Sequence, residues 1–110
     1  MTHYLLCDLK DDPRLIAEYE SYHAPGNAWP EITASIRAAG ITDMQIFRAG
    51  NRLVMVMETD DTYSPERQAE MNAGNPKVRE WEALMDTYQQ RLPFAEQGVK
   101  WVPAHRIFKL

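Results

Sequence analysis

The sequence predicts an α+β domain with the ferredoxin-like order βαββαβ, each helical crossover being broken into two helices. Three observations carry this. Apolar runs with strand character occur at 3–9, 41–48, 52–59 and 101–110. Between the first and second, and between the third and fourth, lie pairs of helix-start signals that include a proline. The middle two runs are joined by only three residues, Ala49-Gly50-Asn51, the length of a hairpin turn. With 110 residues the chain reads as one domain spanning 1–110.

The elements follow in order. Residues 3–9, HYLLCDL, form the first strand. Asp12 is a capping residue and Pro13 suits the first helical position. Leu15, Ile16, Tyr19, Tyr22 and His23 then fall on one helical face, and Ala24-Pro25-Gly26-Asn27 ends the helix. A second helix starts near Pro30, with Ile32, Ile36 and Ala39 as its apolar stripe, and stops at Gly40. Ile41–Arg48 and Arg52–Thr59 are the hairpin strands. In the latter, Leu53, Met55 and Met57 face one way and Val54 and Val56 the other, so the pattern predicts cover on both faces. Ser64-Pro65 opens a short helix. Asn75-Pro76 opens another, expected to run to about Arg91 with Val78, Trp81, Met85, Tyr88 and Leu92 on one stripe. Pro93 to Gly98 is a loop, and Trp101 to Leu110 is expected as the last strand, with Pro103 marking an edge. Helices on one face would leave the other bare, and pairing with a second copy through that face is the economical cover.

Composition narrows the function. Twelve Lys+Arg against sixteen Asp+Glu give a net charge of −4 without a basic cluster, which argues against nucleic-acid binding. No apolar run reaches the length of a membrane span, and the first residues lack a secretory pattern. The lone cysteine, Cys7, cannot form an internal disulfide, which points to the cytoplasm; one cysteine and three histidines argue against Cys/His metal ligation. A phosphate loop, a dinucleotide fingerprint and a Gly-x-Ser-x-Gly elbow are all absent from the sequence. Proton transfer without a nucleotide or an activated serine, or plain ligand binding, is what remains.

Tyr19 and His23, four residues apart, point the same way from the first helix. A histidine moves protons near neutral pH and a phenol beside it can orient it or bind a hydroxyl, but the same spacing also suits packing. Trp29, ahead of Pro30-Glu31, reads either as a staple against the core or as the flat wall of a sugar site. Trp81 reads as core by its spacing, and Glu80 beside it as solvated.

Beyond these readings, Tyr19-x-x-x-His23, Trp29-Pro30-Glu31-Ile32, Gly40, Gly50-Asn51-Arg52-Leu53, Glu58, Asn75-Pro76 and Trp81-x-x-Leu84-Met85 resemble the L-rhamnose mutarotase family, in order and over nearly the whole chain. The resemblance implies a dimeric α+β barrel of ferredoxin-like protomers with a pocket between sheet and helices. It also implies interconversion of the α and β anomers of a 6-deoxy-L-hexose without cofactor or metal. By residue match His23 falls on the family's proton donor and Tyr19 on a substrate-contacting tyrosine. Met44 stands where the rhamnose enzymes carry a substrate-contacting tyrosine. Glu80-Trp81 stands where they carry two tryptophans. These departures put L-fucose beside L-rhamnose as substrate.

The expected site is therefore His23 as proton carrier, with Tyr19, Trp29, Met44, Glu80 and Trp81 around the sugar. Glu80 is expected to bind a hydroxyl or act as partner base. Two other classes remain: a small cofactor-free monooxygenase of the dimeric α+β-barrel type, which shares the architecture, and a non-catalytic domain that binds a small ligand or a partner.

Overall fold

In the computed structural model, which describes residues 1–110, the chain runs β1 (Thr2–Leu9), α1 (Pro13–His23), α2 (Pro30–Ala38), β2 (Ile41–Ala49), β3 (Arg52–Thr59), α3 (Pro65–Ala73), α4 (Pro76–Asp86), β4 (Gln89–Gln90) and β5 (Val102–Pro103). The cap-and-proline starts hold where they were expected. Asp12 accepts hydrogen bonds from the Arg14 and Leu15 amides, Ser64 from Arg67, and Asn75 from Lys77 and Val78. At α2 Trp29 occupies the cap position without a side-chain bond, and Pro30 supplies the helical φ instead.

The strands lie in the order β2-β3-β1-β4, every pairing antiparallel, with β5 also on β1. Gln90 and Gln89 pair with Asp8 and Leu9, while Pro103 and Val102 pair with Leu5 and Leu6. Both short strands thus sit on the edge of β1 that β3 leaves free, and together they are the fourth strand of a ferredoxin-like sheet, interrupted by residues 91–101. The sheet of the single chain does not close into a barrel.

Two expectations are corrected here. The last helix stops at Asp86 instead of about Arg91, because Thr87 caps it and the chain turns to satisfy the free edge of β1. The last strand is two residues long instead of ten. Pro103 has no amide to donate, Ala104 donates to the Tyr4 carbonyl at 2.8 Å, and residues 105–110 continue without further pairing.

Register decides which side chains share a face. Cys7, Leu9, Leu53, Met55 and Met57 turn toward the helices and are buried. Tyr4 and Leu6 lie opposite Val56 and Val54 on the other face, with Phe47 beside Val54 and Val102 beside Leu6. Cover on both faces was predicted for β3, but Val54 and Val56 are only half-buried, since all four helices pack on one side. At the end of that open face, Arg52 donates Nε to Asp8 Oδ1 at 2.8 Å and Nη2 to Oδ2 at 3.2 Å, a two-pronged pair that pins the register.

The buried interior divides in two. One cluster joins Leu9, Tyr19, Leu53, Met85 and Tyr88; the other joins Ile41, Met55 and Met57. Half-buried Ile46 and Trp101 pack against both. Gly40 ends the α2 region at φ +96°, and a Cβ there would lie 2.6 Å from Asp60 Oδ1, so both backbone and space demand glycine.

Candidate functional site

The C-terminal half of α1 faces β2 across a cleft of about 380 Å³. Tyr19, Glu20, His23 and Ala24 form one wall; Ile46, Phe47 and Arg48 of β2 form the other, with Leu53 at its floor. This volume lies at the lower end of the roughly 300–1,000 Å³ typical of small-molecule sites. A second, smaller cleft of about 230 Å³ is lined by Asp86, Gln89, Arg91 and Lys100. It has no apolar wall, and Lys100 and Asp86 are ion-paired across it at 2.6 Å.

His23 occupies the last turn of α1 and is exposed to the cleft. Its Nδ1 lies 2.7 Å from the Tyr19 carbonyl oxygen. A carbonyl only accepts, so Nδ1 carries the hydrogen, and Nε2 of the neutral ring is the lone-pair nitrogen. The ring also packs on the Tyr19 ring at 4.3 Å and meets the edge of Trp81 at 5.6 Å. Backbone and aromatic contacts together hold the imidazole in one orientation.

Tyr19 is 3% exposed. Burial pushes its phenol up to about 12, so it stays protonated near neutral pH. Its oxygen accepts a hydrogen bond from Gln89 Nε2 at 3.4 Å, leaving the phenol hydrogen available to a bound hydroxyl. Cys7 is fully buried and its thiol is pushed up to about 11, chiefly by that burial, so it is a packing residue rather than a nucleophile.

The tryptophans sit on the helix side of this arrangement. Trp81 of α4 contacts His23, Tyr22 (6.1 Å) and Trp29 (5.0 Å). Trp29 leans on Trp81 and carries the Lys77 ammonium 5.7 Å over its ring. Glu80 is exposed and paired with Lys77 at 3.4 Å. Met44 packs on the Ile41–Met55–Met57 cluster. Tyr19, His23, Trp81 and Trp29 therefore form one continuous aromatic group, but of the six predicted site residues only Tyr19 and His23 line the cleft; Trp29, Trp81, Glu80 and Met44 lie outside its lining. The lining also contains six residues that the sequence reading did not single out for the site: Glu20, Ala24, Ile46, Phe47, Arg48 and Leu53. Helical spacing could have found Glu20, three residues before His23. Arg48 and Ile46 come from a distant strand and had no local signal.

Comparison with known proteins agrees over the full length. A sequence profile of the family described as L-rhamnose mutarotase matches residues 3–110. An L-fucose mutarotase of Xanthomonas campestris pv. campestris is 48% identical over 103 residues, covering 94% of this chain and 82% of that protein. A Dictyostelium discoideum protein, whose name states no activity, is 33% identical and covers 94% and 84% of the two chains. The crystal structure of an L-rhamnose mutarotase from Formosa agariphila superposes with a TM-score of 0.70 over 100% of this chain and 98% of that one; at 18% identity the likeness is one of fold.

Proposed function

The chain belongs to the L-rhamnose mutarotase family, and from that membership and the His23 cleft we propose that it is an isomerase interconverting the α and β anomers of a 6-deoxy-L-hexose. The observation that carries the reading is the imidazole itself: fixed through Nδ1, it presents Nε2 to a cleft of sugar size beside a protonated phenol.

Mutarotation opens the pyranose by moving one proton from the C1 hydroxyl to the ring oxygen and breaking the C1–O5 bond. Rotation about C1–C2 and closure on the other face reverse both changes. O1 and O5 are bonded to the same carbon, so one nitrogen reaches both. His23 Nε2 takes the O1 proton and gives it to O5 as the bond breaks, then does the reverse on closure. There is no net change in protonation or oxidation state. The uncatalysed reaction already proceeds in water, and one positioned acid–base group contributes about 10²- to 10⁴-fold, which suits so sparse a site. Tyr19 donates to a sugar hydroxyl and, through its carbonyl, aligns His23. Trp81, backed by Trp29, supplies apolar surface behind the His23 ring, outside the cleft lining itself. Met44 and Glu80 act at the margin of the bound sugar.

L-Fucose is the preferred substrate on the strength of the name of the 48% identical relative, with L-rhamnose the competitor. The protein works as a homodimer through the open sheet face, where Tyr4 and Phe47 remain 51% and 54% exposed. A cytoplasmic setting fits an unpaired, buried cysteine. The fold contains no helix long and apolar enough to cross a membrane. Saturation-transfer NMR on the anomeric signals of L-fucose, L-rhamnose and a D-hexose tests the reading. Accelerated α/β exchange of a 6-deoxy-L-sugar is expected. Binding without acceleration, or oxygen uptake with a phenolic substrate instead, would overturn it.

A further inference from the structure

We propose that Glu20 and Arg48 together form a hydroxyl-binding clasp in the His23 cleft and set which sugar the site accepts. This rests on the mutarotase reading and deepens it.

Both residues line the same cleft as His23. Glu20 precedes His23 by one helical turn, which brings their Cβ atoms within about 5–6 Å. Arg48 approaches from the β2 wall. Its Nε donates to Glu20 Oε1 at 2.5 Å and its Nη1 to the Gly50 carbonyl at 2.8 Å. A guanidinium has five N–H donors and a carboxylate about four acceptor positions, so most of the capacity of this pair remains open. The side chains are 37% and 52% exposed, so the spare donors and acceptors are accessible. The ion pairs Arg14–Glu18 and Lys77–Glu80, by contrast, each join side chains of one helix, and neither lines the cleft.

An adjoining charged donor and charged acceptor are what a vicinal diol requires. One hydroxyl gives its hydrogen to the carboxylate, and its neighbour accepts from the guanidinium, both bonds being charge-assisted. With C1 and O5 held at His23, the opposite edge of a pyranose carries the C3 and C4 hydroxyls, directed at the β2 wall from which Arg48 projects. Ile46 and Leu53 offer apolar surface for the C5 methyl that distinguishes a 6-deoxy sugar. A clasp built to bond a hydroxyl rejects an analogue lacking it much more strongly than an apolar wall rejects a small change of shape.

The test uses the full-length protein as wild type, Glu20→Gln, Arg48→Met, and the exchange of the two residues (Glu20→Arg with Arg48→Glu). Affinity is measured by ligand-observed NMR titration with L-fucose, L-rhamnose, and L-fucose lacking its 3- or 4-hydroxyl, alongside anomeric exchange and thermal melts. Both single variants should lose about 10- to 100-fold in sugar affinity. Their penalty for the deoxy analogues should shrink toward onefold. The exchanged pair should recover the wild-type melt, because the ion pair re-forms, while sugar affinity stays weak. Wild-type affinity in the single variants, an undiminished deoxy penalty, or an exchanged pair that binds normally would show that Glu20 and Arg48 merely tether α1 to β2. A wild-type protein that neither binds nor exchanges these sugars would sink the mutarotase reading and the clasp with it. Wild-type exchange with affinity indifferent to both substitutions would sink the clasp alone.

Discussion

On the helix side of the sheet, Leu9, Leu53, Met55 and Met57 are buried, and a cleft opens between α1 and β2. On the other side Tyr4, Leu6, Phe47, Val54, Val56 and Val102 form an apolar surface that no element of the same chain covers. The two faces have similar hydrophobicity and opposite fates. The helix side is interrupted: its interior splits into two clusters, and chemistry-bearing side chains occupy the margin of one. On the open side none of these six residues carries a carboxylate, an amine, a guanidinium or an imidazole. On the proposed function, chemistry belongs to the divided face and association to the open one.

The largest expected effect tests the divided face as the reacting one. His23→Ala should slow anomeric exchange by about 10²- to 10⁴-fold while the thermal melt stays near wild type, because the residue is exposed. Wild-type exchange in that variant, read by saturation transfer, would break the comparison at its centre.

The next contrast is in stability. Leu9→Ala, at a position 1% exposed, should cost about 2–5 kcal/mol in denaturant unfolding. Val54→Ala, on the open face, should cost about 1 kcal/mol or less in a protein kept monomeric by dilution. Equal costs would mean that both faces are packed alike.

A third effect is carried by pH. The Tyr19 phenol, ordinarily near 10, is held up to about 12 in the folded protein by burial. Between those values the unfolded chain releases a proton that the folded chain keeps, so the contribution is complete below pH 10 and disappears as pH rises through 12. A loss of roughly 2–3 kcal/mol is expected from this residue, with Cys7 and Tyr88 displaced in the same direction. Tyr19→Phe should flatten the Tyr19 share of that slope. An unchanged slope would place the phenol in water.

The smallest effect concerns the open face. Replacing both Tyr4 and its cross-strand neighbour Val56 by Asp should weaken self-association by roughly 30-fold or more in sedimentation, without slowing exchange in the remaining dimer. A wild-type protein that sediments as a monomer at all concentrations would remove the association role.

Much of the fold was legible because its signals are local. Asp12-Pro13, Ser64-Pro65 and Asn75-Pro76 mark helix starts through bonds spanning two or three residues, and the structure shows those bonds formed. The errors fell where distant contacts compete with local pattern. The stripe Val78–Leu92 reads as one helix, but Gln89 and Gln90 leave it to pair with Asp8 and Leu9, some eighty residues earlier in the chain. Residues 104–110 have strand-like composition but find little of β1 left to pair with.

The site divides the same way. Tyr19 and His23 share a helix face by spacing, and the sequence by itself determined that they point the same way. It also determined the cap residues, the hairpin and the glycine at position 40. Only the tertiary structure decided that His23 faces a cleft while Tyr19 is buried, that Trp29 reaches Trp81, and that Arg48 of β2 stands beside Glu20. The reason is that helical periodicity fixes direction around one axis, whereas the packing of α1 against β2 fixes what lies in that direction.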